Sequence, residues 1–501
     1  MLKVLIFIVL NSWFYVSANV VNIAISSAPN NLSPFFSTDG NSQNIGRLLH
    51  LSLIDFGRNM QFKCIACESF SENIEKDGRH KISFKLRKDL KFWDGTPLTA
   101  KDIKQSWEFF TDEKDIKSIF RFAFKKIVEI RELNLHEVAL YFKEFNLENF
   151  SNLALFKIIK LKNGKYDVKN IIGAGPYRLA STNDFEIVLE SEKRPTLKFK
   201  VVKDETTLAL KMMNQEIDLS LSNISPRKLN WLRKNGKDLE IWEKEGTNYV
   251  YMGVNHRNEH LKDRKVRKAI SHLIPREKLI QYKLKNTAKI SRGMFSSAFK
   301  DYFQDFSFDK FSPKLAKKLL EEAGYKLSKD GFYYRDGRRL KLRMPISSNK
   351  ALVEMATTIK ESFVSSGIDV DMSIFEWGTF MNYMKTGRYD IVMARWMGFT
   401  GPDMLKYVFY SGNTPPKGGN RGYFNNTIFD ALIDKATPET DKQKRNSYYL
   451  EAAKVANSEY SYINLWHPNI IWLARNCLKK LDLFANGSFL SLLDLEGDCG
   501  K

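Results

Sequence analysis

His256, Glu259 and His260 are the residues of this chain whose spacing most directly suggests a reaction. They fit H-x-x-E-H, the inverted zinc-protease spacing. That chemistry needs both histidines on one face of a helix, with the glutamate placed to activate a metal-bound water. Here the stretch follows a strand ending at Asn255 and precedes a helix beginning near Asp263, with no apolar stripe of its own. It reads as a connecting loop, and a secreted zinc peptidase is kept as the alternative function. Gly173-x-Gly175 runs into Pro176 rather than a helix start, so it is no dinucleotide loop. No nucleophile elbow, Walker loop or Cys/His zinc spacing occurs elsewhere, and no cofactor is expected. Four cysteines remain, Cys64, Cys67, Cys477 and Cys499. A Cys64–Cys67 loop and a Cys477–Cys499 bridge suit an exported chain, although three connectivities are open.

The elements that would carry these residues announce themselves by period and punctuation. Phe84, Leu86, Leu90 and Phe92 alternate with charged residues as a half-buried strand does. Asp94-Gly95 signals a turn, and Thr99-x-x-Asp102 a capping box that opens a helix through Trp107 and Phe110. Val266, Ala269, Ile270, Leu273 and Ile274 form the apolar stripe of a helix stopped by Pro275. Ser312, Pro313 and Gly324 punctuate another helix, and residues 368–374 alternate as a strand after Gly367. Strands mixed with helices in this order argue an α/β fold.

With 501 residues, 43% of them hydrophobic, the chain is long enough for about three domain-sized units and a large core. Its formal net charge of +21 is spread along the sequence, which reads as a solvated basic surface. No basic module with interleaved aromatics points to nucleic acid. Lys3, the apolar run Val4–Leu10 and the small residues Val16-Ser17-Ala18 compose a signal peptide over residues 1–18. That run is shorter than the roughly 20 apolar residues a membrane span needs. The mature protein is therefore expected to be exported and soluble.

The segment Phe84-Lys85-Leu86-Arg87 followed by Phe92-Trp93-Asp94-Gly95-Thr96-Pro97-Leu98-Thr99-Ala100-Lys101-Asp102-Ile103 closely resembles the signature of family 5 extracellular solute-binding proteins. These are the oligopeptide-, dipeptide- and nickel-binding subunits of ABC importers. Tyr251-Met252-Gly253-Val254-Asn255, Asp263 to Ile270, Gly173-Ala174-Gly175-Pro176-Tyr177, Leu315 to Tyr325, and Tyr389-Asp390-Ile391 with Arg395-Trp396 resemble further family segments. Pro275 departs from the usual aspartate before arginine. The resemblance runs from about Asn22 to Leu478.

The resemblance implies a type II periplasmic-binding-protein fold, with two lobes around a hinge and an extra inserted domain. Lobe I would comprise residues 19–43, 171–258 and 466–501, the inserted domain 44–170, and lobe II 259–465. It also implies a monomer that traps a small organic or peptide ligand between its lobes. The ligand would then pass to an ABC permease in the inner membrane; a ligand-binding sensor or chaperone without a transport role is a further alternative. Ligand contacts are expected from Thr38, Asp39, Tyr249, Tyr251, Trp377, Arg395, Trp396, Phe399 and Asp403. Peptide-binding members carry an aspartate three residues after the tryptophan to pair with the ligand's ammonium. Phe399 stands there, and Asp403 follows Pro402 instead of preceding a proline. The expected ligand is thus peptide-like or another organic molecule whose amine is absent, blocked or held by Asp403.

Overall fold

A computed structural model describes residues 19–37, 39–112, 118–167, 170–221, 224–398, 400–479 and 481–500. The expected signal peptide lies outside the described residues. A ten-stranded sheet forms the backbone of the molecule. At its centre Val20–Ile25 runs parallel to both Thr196–Val201 and Leu219–Leu221, so this strand is buried on both faces and reads as a continuous apolar run. The remaining ladders of the sheet are antiparallel.

Tyr462–Arg475 ties the sheet together. Its first half pairs with Tyr249–Val254, and its second half with Leu219–Leu221 and Leu239–Glu245. The chain between Leu239–Glu245 and Tyr249–Val254 passes through Gly246, whose amide donates to the Pro468 carbonyl at 3.1 Å. A Cβ at Gly246 would lie 2.3 Å from that oxygen, so only glycine allows the two crossing segments to approach this closely. On one side of the crossing lies a core of Val21, Ile23, Phe199, Trp242 and Trp472; on the other, one of Val266, Ile270, Leu320, Ile359 and Phe363.

A separate four-stranded antiparallel sheet orders Cys67–Ile74, His80–Leu86, Glu137–Phe142 and Ile127–Asn134. It carries the signature segment. The strand stops at Leu86, earlier than the alternation through Phe92 suggests, because residues 87–89 turn and Arg87 stacks its fork on Asp89. Gly95 has φ +82°, as the turn requires, and the Thr99 amide donates to Asp102 at 2.8 Å ahead of the helix Ala100–Asp112. Trp93 then docks on the glycine turn: its amide donates to Gly173 O at 3.0 Å and its indole N–H to Gly175 O at 2.9 Å. A Cβ at Gly173 or Gly175 would collide with the Leu49 or Leu48 carbonyl, at 1.8 and 2.3 Å. Two of the segments that carry the resemblance thus meet as one structural joint.

The helices Arg264–His272 and Pro313–Glu322 form as punctuated, capped by Asp263 and Ser312. Asp369–Phe375 pairs in parallel with Lys341–Ser347 in a two-stranded sheet. Its outer positions, Ile374 included, are exposed. Both expected disulfides, Cys64–Cys67 and Cys477–Cys499, are present.

Candidate functional site

His256, Glu259 and His260 diverge. His256 packs edge-on against Phe424, Glu259 pairs with Arg338, and His260 shares a 2.7 Å hydrogen bond with Tyr325. Burial pushes His256 down to about 3, with Arg267 adding to the effect. The stretch lies between the strand Tyr249–Val254 and the helix Arg264–His272, not on a helix. The geometry a zinc peptidase requires is missing here.

The expected ligand contacts distribute along the crossing strands. Tyr249 pairs opposite Trp396 and Val250 opposite Arg395 in the ladder between Tyr249–Val254 and Ile391–Trp396. Side chains alternate faces along a strand, so Tyr249, Tyr251 and Trp396 share one face while Arg395 points to the other. The adjacent pair Arg395-Trp396 therefore does not form one subsite. On the tryptophan face Tyr251 stacks on Tyr462 at 3.9 Å and on Trp396 at 6.3 Å. Tyr407 meets Trp396 edge-on and the Arg421 guanidinium sits 5.0 Å over its ring. Tyr249 and Tyr251 are buried behind Trp396 and act as its support.

Trp377 is 64% exposed at the start of the helix Trp377–Thr386. Asp39 caps the helix Gly40–Leu49 by accepting from the Ser42 amide at 2.9 Å, and it also accepts from the Asn30 amide. Its neighbour Thr38, and Phe399, lie outside the described residues. Asp403 opens the helix Asp403–Phe409 and faces a cavity of about 320 Å³. Met60, Phe150 and Ser151 wall that cavity on one side, Thr400 and Asp301 on the other. Gln61 reaches across to Asp301 at 3.0 Å, Ser151 to Thr400 at 3.1 Å, and Arg445 lies over Phe145. Asp403 forms no ion pair among the described residues, although Lys442 and Arg445 line the same cavity; burial, with Glu148 adding and Lys126 opposing, pushes its carboxyl up to about 6.

The helix Glu148–Leu155 that walls this cavity ends beside a second recess, which contains the charges sequence reasoning missed. Arg47 and Lys157 both line this recess beside Ser37 and Gln43. Asp55, buried behind them, accepts from Arg47 Nε at 2.9 Å and lies 3.9 Å from Lys157 Nζ. Lys157 Nζ also donates to Ala154 O at 3.1 Å. Burial brings Lys157 down to about 8, with Asp55 opposing and Arg47 adding to that shift. Two cations thus share one carboxylate in this recess, leaving a surplus positive charge. The signal was there: Lys157 interrupts the apolar run Leu153–Ile159, and a lysine amid buried neighbours is rare without a partner.

A model of the family described as bacterial extracellular solute-binding proteins, family 5 Middle, matches residues 68–417. The chain belongs to this family. This solute-binding protein is similar to the oligopeptide-binding protein AppA of Bacillus subtilis (strain 168). The two are 26% identical over 469 residues, 88% of this chain and 84% of AppA. It is also similar to the periplasmic murein peptide-binding protein MppA of Escherichia coli (strain K12), 25% identical over 431 residues, 76% and 77% of the two chains. Among solved structures, HbpA2 from Haemophilus parasuis aligns over 96% of this chain and 100% of its own, with a TM-score of 0.82 and 20% identity. The type II α/β fold of family 5 solute-binding proteins is thereby shown. No helix among the described residues is long and apolar enough to cross a membrane.

Proposed function

We propose that this protein is the exported, periplasmic component of an ABC importer and traps a peptide-like ligand bearing a free carboxylate. The single observation that carries the reading is the surplus cation at Arg47 and Lys157, which line one recess with one carboxylate between them. A ligand carboxylate completes that charge balance and accepts charge-assisted hydrogen bonds. Trp396 supplies a planar apolar wall, held by Tyr251 and Tyr407. Asp403 forms no ion pair among the described residues, since Lys442 of the same cavity is held by Asp301, and it suits a ligand ammonium in place of the aspartate that Phe399 replaces. The ligands named for AppA and MppA, oligopeptides and a murein peptide, agree with this class.

In this reading lobe I comprises residues 19–43, 171–258 and 466–501, the inserted domain 44–170 and lobe II 259–465. Closure would bring Asp301, Thr400 and Arg445 onto the inserted domain, contacts already made here. The protein acts as a monomeric carrier for a permease and does no chemistry on its cargo. Calorimetry with a random tripeptide pool, its N-acetylated twin and its C-amidated twin tests the ligand class. The amidated pool should bind about tenfold more weakly than the free pool, the loss of one charge-assisted hydrogen bond. Equal binding of free and amidated pools rules out the carboxylate subsite. Tight binding of free-amine peptides that survives Asp403→Asn rules out the role given to Asp403.

A further inference from the structure

The face of the crossing strands opposite Trp396 opens into a groove that none of the functions above uses. Two connected cavities, of about 300 and 710 Å³, share Pro226, Leu284, Ala351 and Met355 as walls. The groove runs between the start of the helix Pro226–Asn235 and the start of the helix Lys350–Ser365, that is, across the boundary of the two lobes. Five cations line it: Arg227, Lys228, Lys283, Lys350 and Arg395.

None of the five forms an ion pair among the described residues. Lys228 alone has an acidic influence nearby, on Asp204, which caps the helix Glu205–Met213. Of the two carboxylates in the groove, Glu205 is engaged by the Ser225 amide at 2.8 Å. Glu354 remains. Trp231, 42% exposed, lies along the floor with Lys228 5.8 Å from its ring. A solvated basic surface scatters its charges; here cations from both lobes converge on one concavity, where their fields add.

We infer that this groove is an anion-selective subsite that receives acidic side chains of the ligand, so that the preferred cargo is an acidic oligopeptide. The inference rests on the peptide reading of the cleft. Because Lys283, Lys350 and Arg395 come from one lobe and Arg227 and Lys228 from the other, an acidic chain lying in the groove draws the lobes together. Attraction at exposed cations is screened, so the preference must fall with ionic strength.

The experiment is calorimetry on the full mature chain with the peptide Ala-Glu-Ala-Glu-Ala and its Gln twin, at low and at high salt. The Glu peptide should bind about tenfold tighter at low salt, several weak exposed pairs acting together. The double variant Lys283→Gln/Lys350→Gln should reduce that ratio to about twofold while leaving the Gln peptide's affinity unchanged. Both lysines are exposed, so thermal unfolding of the variant should match the parent and certify the comparison. Equal affinity for the two peptides, or a ratio that survives the double variant, overturns the acidic-cargo inference alone and leaves the peptide reading standing. Failure of both peptides to bind overturns the peptide reading, and this inference with it.

Discussion

Two buried carboxylates, Asp390 and Asp55, are each partnered by arginine, yet they do opposite things with the charge. Asp390 accepts from Arg343 at 2.9 and 3.1 Å and from the Arg343 amide at 2.8 Å, anchoring Ile391–Trp396 to Lys341–Ser347. Burial works to raise its pKa, but those hydrogen bonds hold it below the usual carboxylate range. Charge and hydrogen bonds close locally, as a structural ion pair requires. Asp55 instead meets two cations, and burial, reinforced by Arg47 and opposed by Asp55, lowers Lys157 to about 8. A cation kept in a costly place, with only a share of one carboxylate, is the mark of a site awaiting an anion.

The strongest way to break this contrast is to remove the carboxylate. Asp55→Asn leaves Arg47 and Lys157 facing each other in a nearly dry recess and should cost about 3–5 kcal/mol of stability, read by denaturant unfolding. Arg343→Ala should cost less, about 1–2 kcal/mol, because much of Arg343 is exposed and water can reach the freed carboxylate. Equal losses would dissolve the distinction between the two sites.

Acid sharpens it next. His50, buried beside this cluster, is pushed down to about 4 by burial first and by Lys157 second. A base with a depressed folded pKa loses stability as pH falls, from the unfolded value near 6.5 to the folded value near 4. The loss should total about 3 kcal/mol over that window and vanish in His50→Phe. Unfolding curves at pH 7 and pH 4 read it.

Lys157→Met separates function from stability. It removes a desolvated cation while Asp55 keeps Arg47, so stability at pH 7 should rise, by about 1–3 kcal/mol. Carboxylate-bearing ligands should nevertheless bind about tenfold more weakly. A merely structural lysine would lose stability and leave binding intact.

The smallest effect is in the pH profile of binding. The unliganded protein surrenders the Lys157 proton near pH 8, and an anion raises that pKa. Binding therefore takes up a proton above pH 8 and weakens as pH rises through it. Calorimetry from pH 7 to 9.5 should show a decline of a few-fold that Lys157→Arg flattens, because arginine stays charged. A flat profile in the parent protein contradicts the role of Lys157.

Much of the fold was legible because its signals are local. Caps at Asp263 and Ser312, Gly95 in its turn and the stripe Val266 to Ile274 each specify an element without help from distant residues. The strand that ends at Leu86 rather than Phe92 was misread because alternation continues across a turn, where period alone cannot see the reversal of direction. The site was less legible for a different reason. Arg395 and Trp396 were both read as ligand contacts, yet period two places them on opposite faces of the strand. Arg47, Asp55 and Lys157 come from three segments up to 110 positions apart, and they meet where the helix Glu148–Leu155 packs on the strand Ile54–Phe56 that carries Asp55. Asp39, read as a ligand contact, is occupied as a helix cap.

If Arg47 and Lys157 recognise a ligand carboxylate, a crystal structure of the protein with a bound tripeptide must show it. A ligand carboxylate oxygen should lie about 3 Å from Lys157 Nζ or from the Arg47 guanidinium, with Asp55 retained behind them. A peptide bound between the lobes with its carboxylate elsewhere, and both cations still turned only to Asp55, would contradict it.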